Sequence, residues 1–172
     1  MRKVKLPVRL DPIRNSQKRT SYDGEIDAVR FSRLSEMAPL LAPVSVALKC
    51  GIDAQGLAVV DASIKASLTL TCQRCNETFE QEFEVHSQFC PITAKVNVDE
   101  LPDAYEPVEL DENGEVELHT LVEDELMLAV PIVPMHDDAD CPQSSKTMVF
   151  GEIEPADERP NPFAILNSLK SD

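Results

Sequence analysis

The chain has 172 residues, a formal net charge of −15, 42% hydrophobic residues and no tryptophan. That is long enough for one cored domain with tails and too apolar for a disordered chain. No apolar run reaches the roughly 18 residues that a membrane-spanning helix needs.

Arg2, Lys3 and Lys5 make the N-terminus basic, but no apolar stretch follows, which argues against a secretory signal and for a cytoplasmic protein. Five cysteines in such a protein are expected as reduced thiols or metal ligands. The charge is polarised. Residues 1–33 hold nine Lys/Arg (Arg2, Lys3, Lys5, Arg9, Arg14, Lys18, Arg19, Arg30 and Arg33) against four acids, while fifteen Asp/Glu and no Lys or Arg lie between Lys95 and Lys146. RNA phosphates would be drawn to the N-terminal segment and repelled by the rest, and a basic protein would see the opposite. The acidic residues also read, without any partner, as a solvated surface.

In chain order, Leu6 and Val8 alternate with Lys5 and Arg9 as a short strand would. Asp11-Pro12 reads as an N-cap with proline in the first turn, opening a basic helix to about Arg19. Tyr22-Asp-Gly-Glu25 carries a turn signal, and Val29, Leu34 and Met37 give a loose helical period. From Val44 the period becomes two. Val44, Val46, Leu48 and Cys50 share one face, and a glycine-flanked loop at 51–56 turns the chain back. Ile64, Ala66, Leu68 and Leu70 continue the alternation, as do Phe79, Phe83, Val85 and Phe89 against Glu80, Glu82, Glu84 and His86. This is the pattern of antiparallel strands with one wet face.

Residues 94–116 read as a mobile acidic connection with a short strand near 105–110. Leu118, Leu121, Val122, Leu126 and Ala129 then repeat at helical spacing. Asn161-Pro162 opens a second short helix carrying Phe163, Leu166 and Leu169. The expected fold is α+β: an antiparallel β meander or open barrel with a few short helices. Its segments are a basic arm with a short strand and helix over 1–43, a core with helix 117–130 over 44–141, and a tail with helix 162–169 over 142–172.

Cys72 and Cys75 have the C-x-x-C spacing that lets two sulfurs converge on one metal. The natural second half is His136 with Cys141, so the four are expected to bind one structural zinc. Two other readings stay open: small thiols in a turn with no metal, or a redox pair. A redox pair favours a strand-to-helix turn, whereas a strand is expected after Cys75. Cys50 and Cys90 read as packing residues, and His86 and His119 as solvated. The successive acids Glu123, Asp124 and Glu125 point in different directions on a helix and cannot converge on one ion. They read as a solvated face or as a contact for a basic partner, and the apolar stripe of Phe163 and Leu166 reads as a docking face for the body or for a partner. No phosphate-binding loop, H-E-x-x-H or G-x-S-x-G motif occurs.

Several short motifs in order make the chain resemble the bacterial YceD family, the large ribosomal RNA subunit accumulation proteins. They are Lys3-Val-Lys-Leu-Pro7 with Leu10-Asp-Pro12, Cys72-Gln-Arg-Cys75, Tyr105-Glu-Pro107, and Val122-Glu-Asp-Glu-Leu126 running into Pro131-Ile-Val-Pro134-Met-His136. Asn161-Pro-Phe-Ala164 and Ser168-Leu-Lys170 complete the set. The resemblance implies a role in synthesis, processing or stability of 23S rRNA, and so in assembly of the large ribosomal subunit; it does not imply an enzymatic step. Relatives often carry more cysteines after the Pro-x-x-Pro segment; here His136 stands in the first cysteine's place.

The function expected on these grounds is that of a non-enzymatic factor. Arg2, Lys3, Lys5, Arg9, Arg14, Lys18 and Arg19 would contact 23S rRNA or its precursor, and the acidic residues a basic ribosomal protein. The alternative is an acidic chaperone for such a protein, without direct RNA contact. An RNA-processing nuclease would need a convergent carboxylate or histidine site that the sequence does not display.

Overall fold

The computed structural model describes residues 5–93, 96, 98 and 101–143. In chain order the elements are β1 (Arg9–Leu10), α1 (Pro12–Lys18), β2 (Ser21–Ile26), a 3-10 turn (Ala28–Arg30), α2 (Ser32–Met37), β3 (Val44–Ile52), β4 (Ala58–Thr71), β5 (Thr78–Pro91), β6 (Glu106–Val108), β7 (Val116–Glu117) and α3 (Leu118–Ala129). The expected helix 162–169, with Phe163 and Leu166, lies outside the described residues.

One five-stranded sheet runs in the order β2-β3-β4-β5-β6, and β1 pairs with β7 in a separate two-stranded ribbon. β3, β4 and β5 form the expected antiparallel meander, β2 extends it, and the sheet is open rather than closed into a barrel. β6 departs from the expectation, because it runs parallel to β5, with Glu106 opposite Phe89 and Val108 opposite Pro91. Parallel neighbours need a crossover, and the sequence between Pro91 and Glu106 is long enough for one.

Local chemistry explains most elements. The Asp11 side chain accepts the N–H of Arg14 at 2.8 Å, Pro12 occupies the first turn, and Arg19 ends α1 in the left-handed region at φ 49°. The β3–β4 hairpin turns at Asp53, whose carboxylate takes the N–H groups of Gln55 and Leu57, each at 2.8 Å; Gly56 supplies a φ of +87° there. Gly51 belongs to β3 rather than to the loop.

Two expectations fail near the N-terminus. Tyr22-Asp-Gly-Glu25 is not a turn but the middle of β2, paired with β3 so that Gly24 faces Val46. Its glycine serves a close approach: a Cβ there would sit 3.2 Å from Cγ of Leu6. In the next segment Val29 and Met37 are exposed, and Phe31, Leu34 and Ala38 are the buried residues. From the segment expected as a basic arm with a short strand and helix, Leu10, Ile26, Phe31 and Leu34 belong to the same core as the sheet.

That core lies on one face of the sheet. Val44, Val46 and Leu48 of β3 and Ala62, Ile64, Ala66, Leu68 and Leu70 of β4 point into it. α3 covers them with Leu118, Val122 and Leu126, a run at i, i+4 and i+8 that is no more than 1% exposed. Burying each such side chain contributes about 1.5–3 kcal/mol. The other sheet face carries Ser45, Lys65, Glu80, Glu82 and Glu84 and is wet.

Candidate metal centre and charged surfaces

β4 and β5 are joined by a tight knuckle. The N–H of Cys72 bonds to the carbonyl of Glu77 at 2.9 Å, the N–H of Asn76 bonds back to Cys72 at 2.8 Å, and Asn76 takes a left-handed φ of 62°. Asparagine tolerates that conformation better than most residues. The chain leaving α3 is fastened to the knuckle: the N–H of Gln73 reaches the carbonyl of Pro134 at 2.9 Å, and the Arg74 guanidinium donates to the carbonyl of His136 at 2.9 Å. Arg74 also pairs with Asp138. The Cys141 N–H closes a turn on the carbonyl of Asp137 at 3.1 Å, which aims its thiol back at the knuckle.

These restraints bring Cys72, Cys75, His136 and Cys141 together, with their ligand atoms all within 4.8 Å of one another. Cys75 Sγ and His136 Nδ1 are 3.4 Å apart. Four ligands around a tetrahedral zinc, at about 2.3 Å for sulfur and 2.0 Å for nitrogen, stand about 3.5–3.8 Å from each other, so the donor set fits. Cys72 and Cys141 are buried, and the His136 ring lies against Phe79 with centroids 4.6 Å apart. Such contacts fix the imidazole's orientation.

The electrostatics suit a cation. Burial opposes ionisation of Cys72, but the backbone N–H groups of His136, Arg74 and Cys75 and the His136 imidazole outweigh it and bring the thiol down to about 5. Cys75 is pushed up, first by burial and then, against the pull of the Glu77 N–H, by neighbouring Cys72 and Cys141. One thiolate forms readily and the next is resisted. A divalent ion removes that conflict, because its charge exceeds that of any single thiolate. Cys50 and Cys90 are buried elsewhere in the fold, and burial is the first cause that raises each thiol.

The acids of α3 need correction. Glu123 is 4% and Glu125 8% exposed, so neither belongs to a solvated face. Glu123 accepts from Arg33 Nε at 2.9 Å and from the Leu34 N–H at 3.1 Å, and Asp124 pairs with the same Arg33 at 2.8 Å. Glu125 accepts from the Ser87 hydroxyl at 2.5 Å. Three consecutive acids look solvated in one dimension because their partners lie far away in the sequence. Sequence reasoning therefore misses Arg33 as the cation that holds α2 to α3. His119, expected in solvent, has a side chain only 24% exposed.

Of the basic residues expected to meet RNA, Arg2 and Lys3 lie outside the described residues. Lys5, Arg14, Lys18 and Arg19 are exposed, and Arg14 and Lys18 stand one turn apart on α1. Arg9 is tied at 2.6 Å to Asp111, which precedes β7 in the chain.

An open, mostly antiparallel sheet with a Cys3His cluster at one end defines a small α+β protein with a candidate four-ligand metal site. The family model for the large ribosomal RNA subunit accumulation protein YceD matches residues 60–170. A relative from Haemophilus influenzae, the large ribosomal RNA subunit accumulation protein YceD, is 41% identical over 172 residues, covering 99% of both chains. The chain belongs to the YceD family. No solved structure matches it. Among the described residues, no helix is long and apolar enough to cross a membrane.

Proposed function

We propose that this protein is a non-enzymatic, cytoplasmic factor in the synthesis, processing or stability of 23S rRNA, and so in assembly of the large ribosomal subunit. The observation that carries this reading is the end-to-end similarity to a relative named for large ribosomal RNA subunit accumulation. RNA binding falls to the N-terminal basic residues: Arg2, Lys3, Lys5 and Arg9, with Arg14, Lys18 and Arg19 of α1. Their pairing with phosphates makes affinity fall steeply with salt. Replacing Arg14, Lys18 and Arg19 with Ala should lower affinity for a 23S rRNA fragment and reduce the salt slope by about one for each phosphate no longer neutralised. Equal binding and an unchanged slope in filter-binding assays would remove this surface from the proposal. At the level of the cell, deleting the gene should lower 23S relative to 16S rRNA, and unchanged ratios would defeat the reading.

Cys72, Cys75, His136 and Cys141 hold one zinc ion in this reading. The ion's role is structural, joining the knuckle to the segment after α3, because four protein ligands leave no open coordination position. The alternative, a chaperone for a basic ribosomal protein without RNA binding, cannot use the inward-turned Glu123 and Glu125. It must draw on acids elsewhere on the surface.

A further inference from the structure

Among the described residues β5 has a longer unpaired side than β2, the sheet's other edge strand. β4 pairs with it from Thr71↔Thr78 to Val60↔Phe89, whereas on the other side β6 pairs only at Phe89, Cys90 and Pro91. No described strand pairs with that side over residues 78–88. An unpaired strand edge offers alternate N–H and C=O groups to any extended chain of suitable side-chain chemistry.

The side chains define that chemistry. Glu80, Glu82 and Glu84 stand on the wet face at period two, all exposed. Lys65 offsets Glu84 at 2.9 Å, with His86 3.4 Å from the same carboxylate. At the Phe79 end a depression of about 400 Å³ lies between residues 79–81 and the loop after α3, with Asp137 and Asp140 on its wall. Phe79, Phe83 and Val85, on the opposite face, are only partly buried against the core. A second copy of the same edge would set Glu against Glu and be rejected. An added strand with Lys or Arg at every second position meets carboxylates on one face, and apolar residues between them cover the half-exposed rings on the other.

We propose that the β5 edge binds an extended, lysine- or arginine-rich peptide segment of a partner protein by adding it as a strand beside residues 78–85. The charge excludes nucleic acid from the same edge. This site is separate from the basic residues of α1 and does not depend on whether they touch RNA.

The test uses the full-length protein and a labelled nine-residue peptide alternating Lys and Val. It should bind saturably in fluorescence anisotropy. A peptide N-methylated at alternate residues on the bonding edge should bind at least about tenfold more weakly, because it keeps every charge and loses the ladder hydrogen bonds. Peptide binding should also slow amide exchange within residues 79–85. The charge reversal Glu80→Lys with Glu82→Lys should abolish binding, and the milder Glu80→Gln with Glu82→Gln should weaken it without disturbing the fold. No binding, equal binding of the N-methylated peptide, or unchanged exchange in that stretch would each overturn the proposal. Failure of the 23S rRNA role would leave these results unaffected.

Discussion

Cys75 Sγ and His136 Nδ1 lie 3.4 Å apart although 61 positions separate them in the chain. The contact joins the tip of the β4–β5 hairpin to the segment that leaves α3. It makes the end of the sheet and the end of the helix one unit.

Protein purified without chelator should carry about one equivalent of zinc by elemental analysis. Cys72→Ser or His136→Ala should lose it and unfold at lower temperature, since binding free energy at a structural site is also folding free energy. Zinc below about a tenth of an equivalent in the unmutated protein would end the closed-site reading.

Leu126→Ala should destabilise the fold by about 2–5 kcal/mol in urea titrations, because its fully buried side chain sits where α3 meets the sheet. Leu128→Ala, on the same helix but 81% exposed, should change stability by no more than about 0.5 kcal/mol. Equal effects would mean that α3 presents a different face.

Glu123→Ala should cost about 1–3 kcal/mol by leaving the buried Leu34 N–H without its acceptor. Arg33→Ala should cost less, since the guanidinium side chain is 48% exposed and its pairings are screened by water. The ranking is checked by denaturant midpoints of the two variants.

Stability should also depend on pH through Glu106. Desolvation, followed by hydrogen bonding and charge interaction with Glu125, raises its carboxyl from the ordinary 4.5 to about 7. The folded state then holds a proton that the unfolded chain has released, so this contribution to stability is full below about 4.5 and is lost as pH rises through about 7. Glu106→Gln should flatten that decline and raise stability at pH 8 relative to the unmutated protein. A pH profile unchanged by the substitution would place the titration elsewhere.

Where structure depended on near neighbours in the chain, the residues announced it. Asp11-Pro12 and its helix, the two-residue period of β3, β4 and β5, and the stripe of Leu118, Val122 and Leu126 were all legible, because capping, pleat and helical pitch act over a few positions. The thiol pair was legible because ligand spacing is local, and its second half because few other ligand types followed a proline-led stop. β2 was hidden by Gly24, whose reason is the passing side chain of Leu6. The parallel seat of β6 and the inward turn of Glu123 and Glu125 were equally hidden.

The sequence alone determined α1, α3 and the long strands β3, β4 and β5, the sidedness of those strands and the likeness to the YceD family. Among the described residues, tertiary structure decided how long a stretch of β5 stays unpaired, which carboxylates turn inside, and that Cys72, Cys75, His136 and Cys141 converge. Those outcomes depend on pairing between groups tens of residues apart, and a pattern of neighbouring residues carries no record of the distance folding will close.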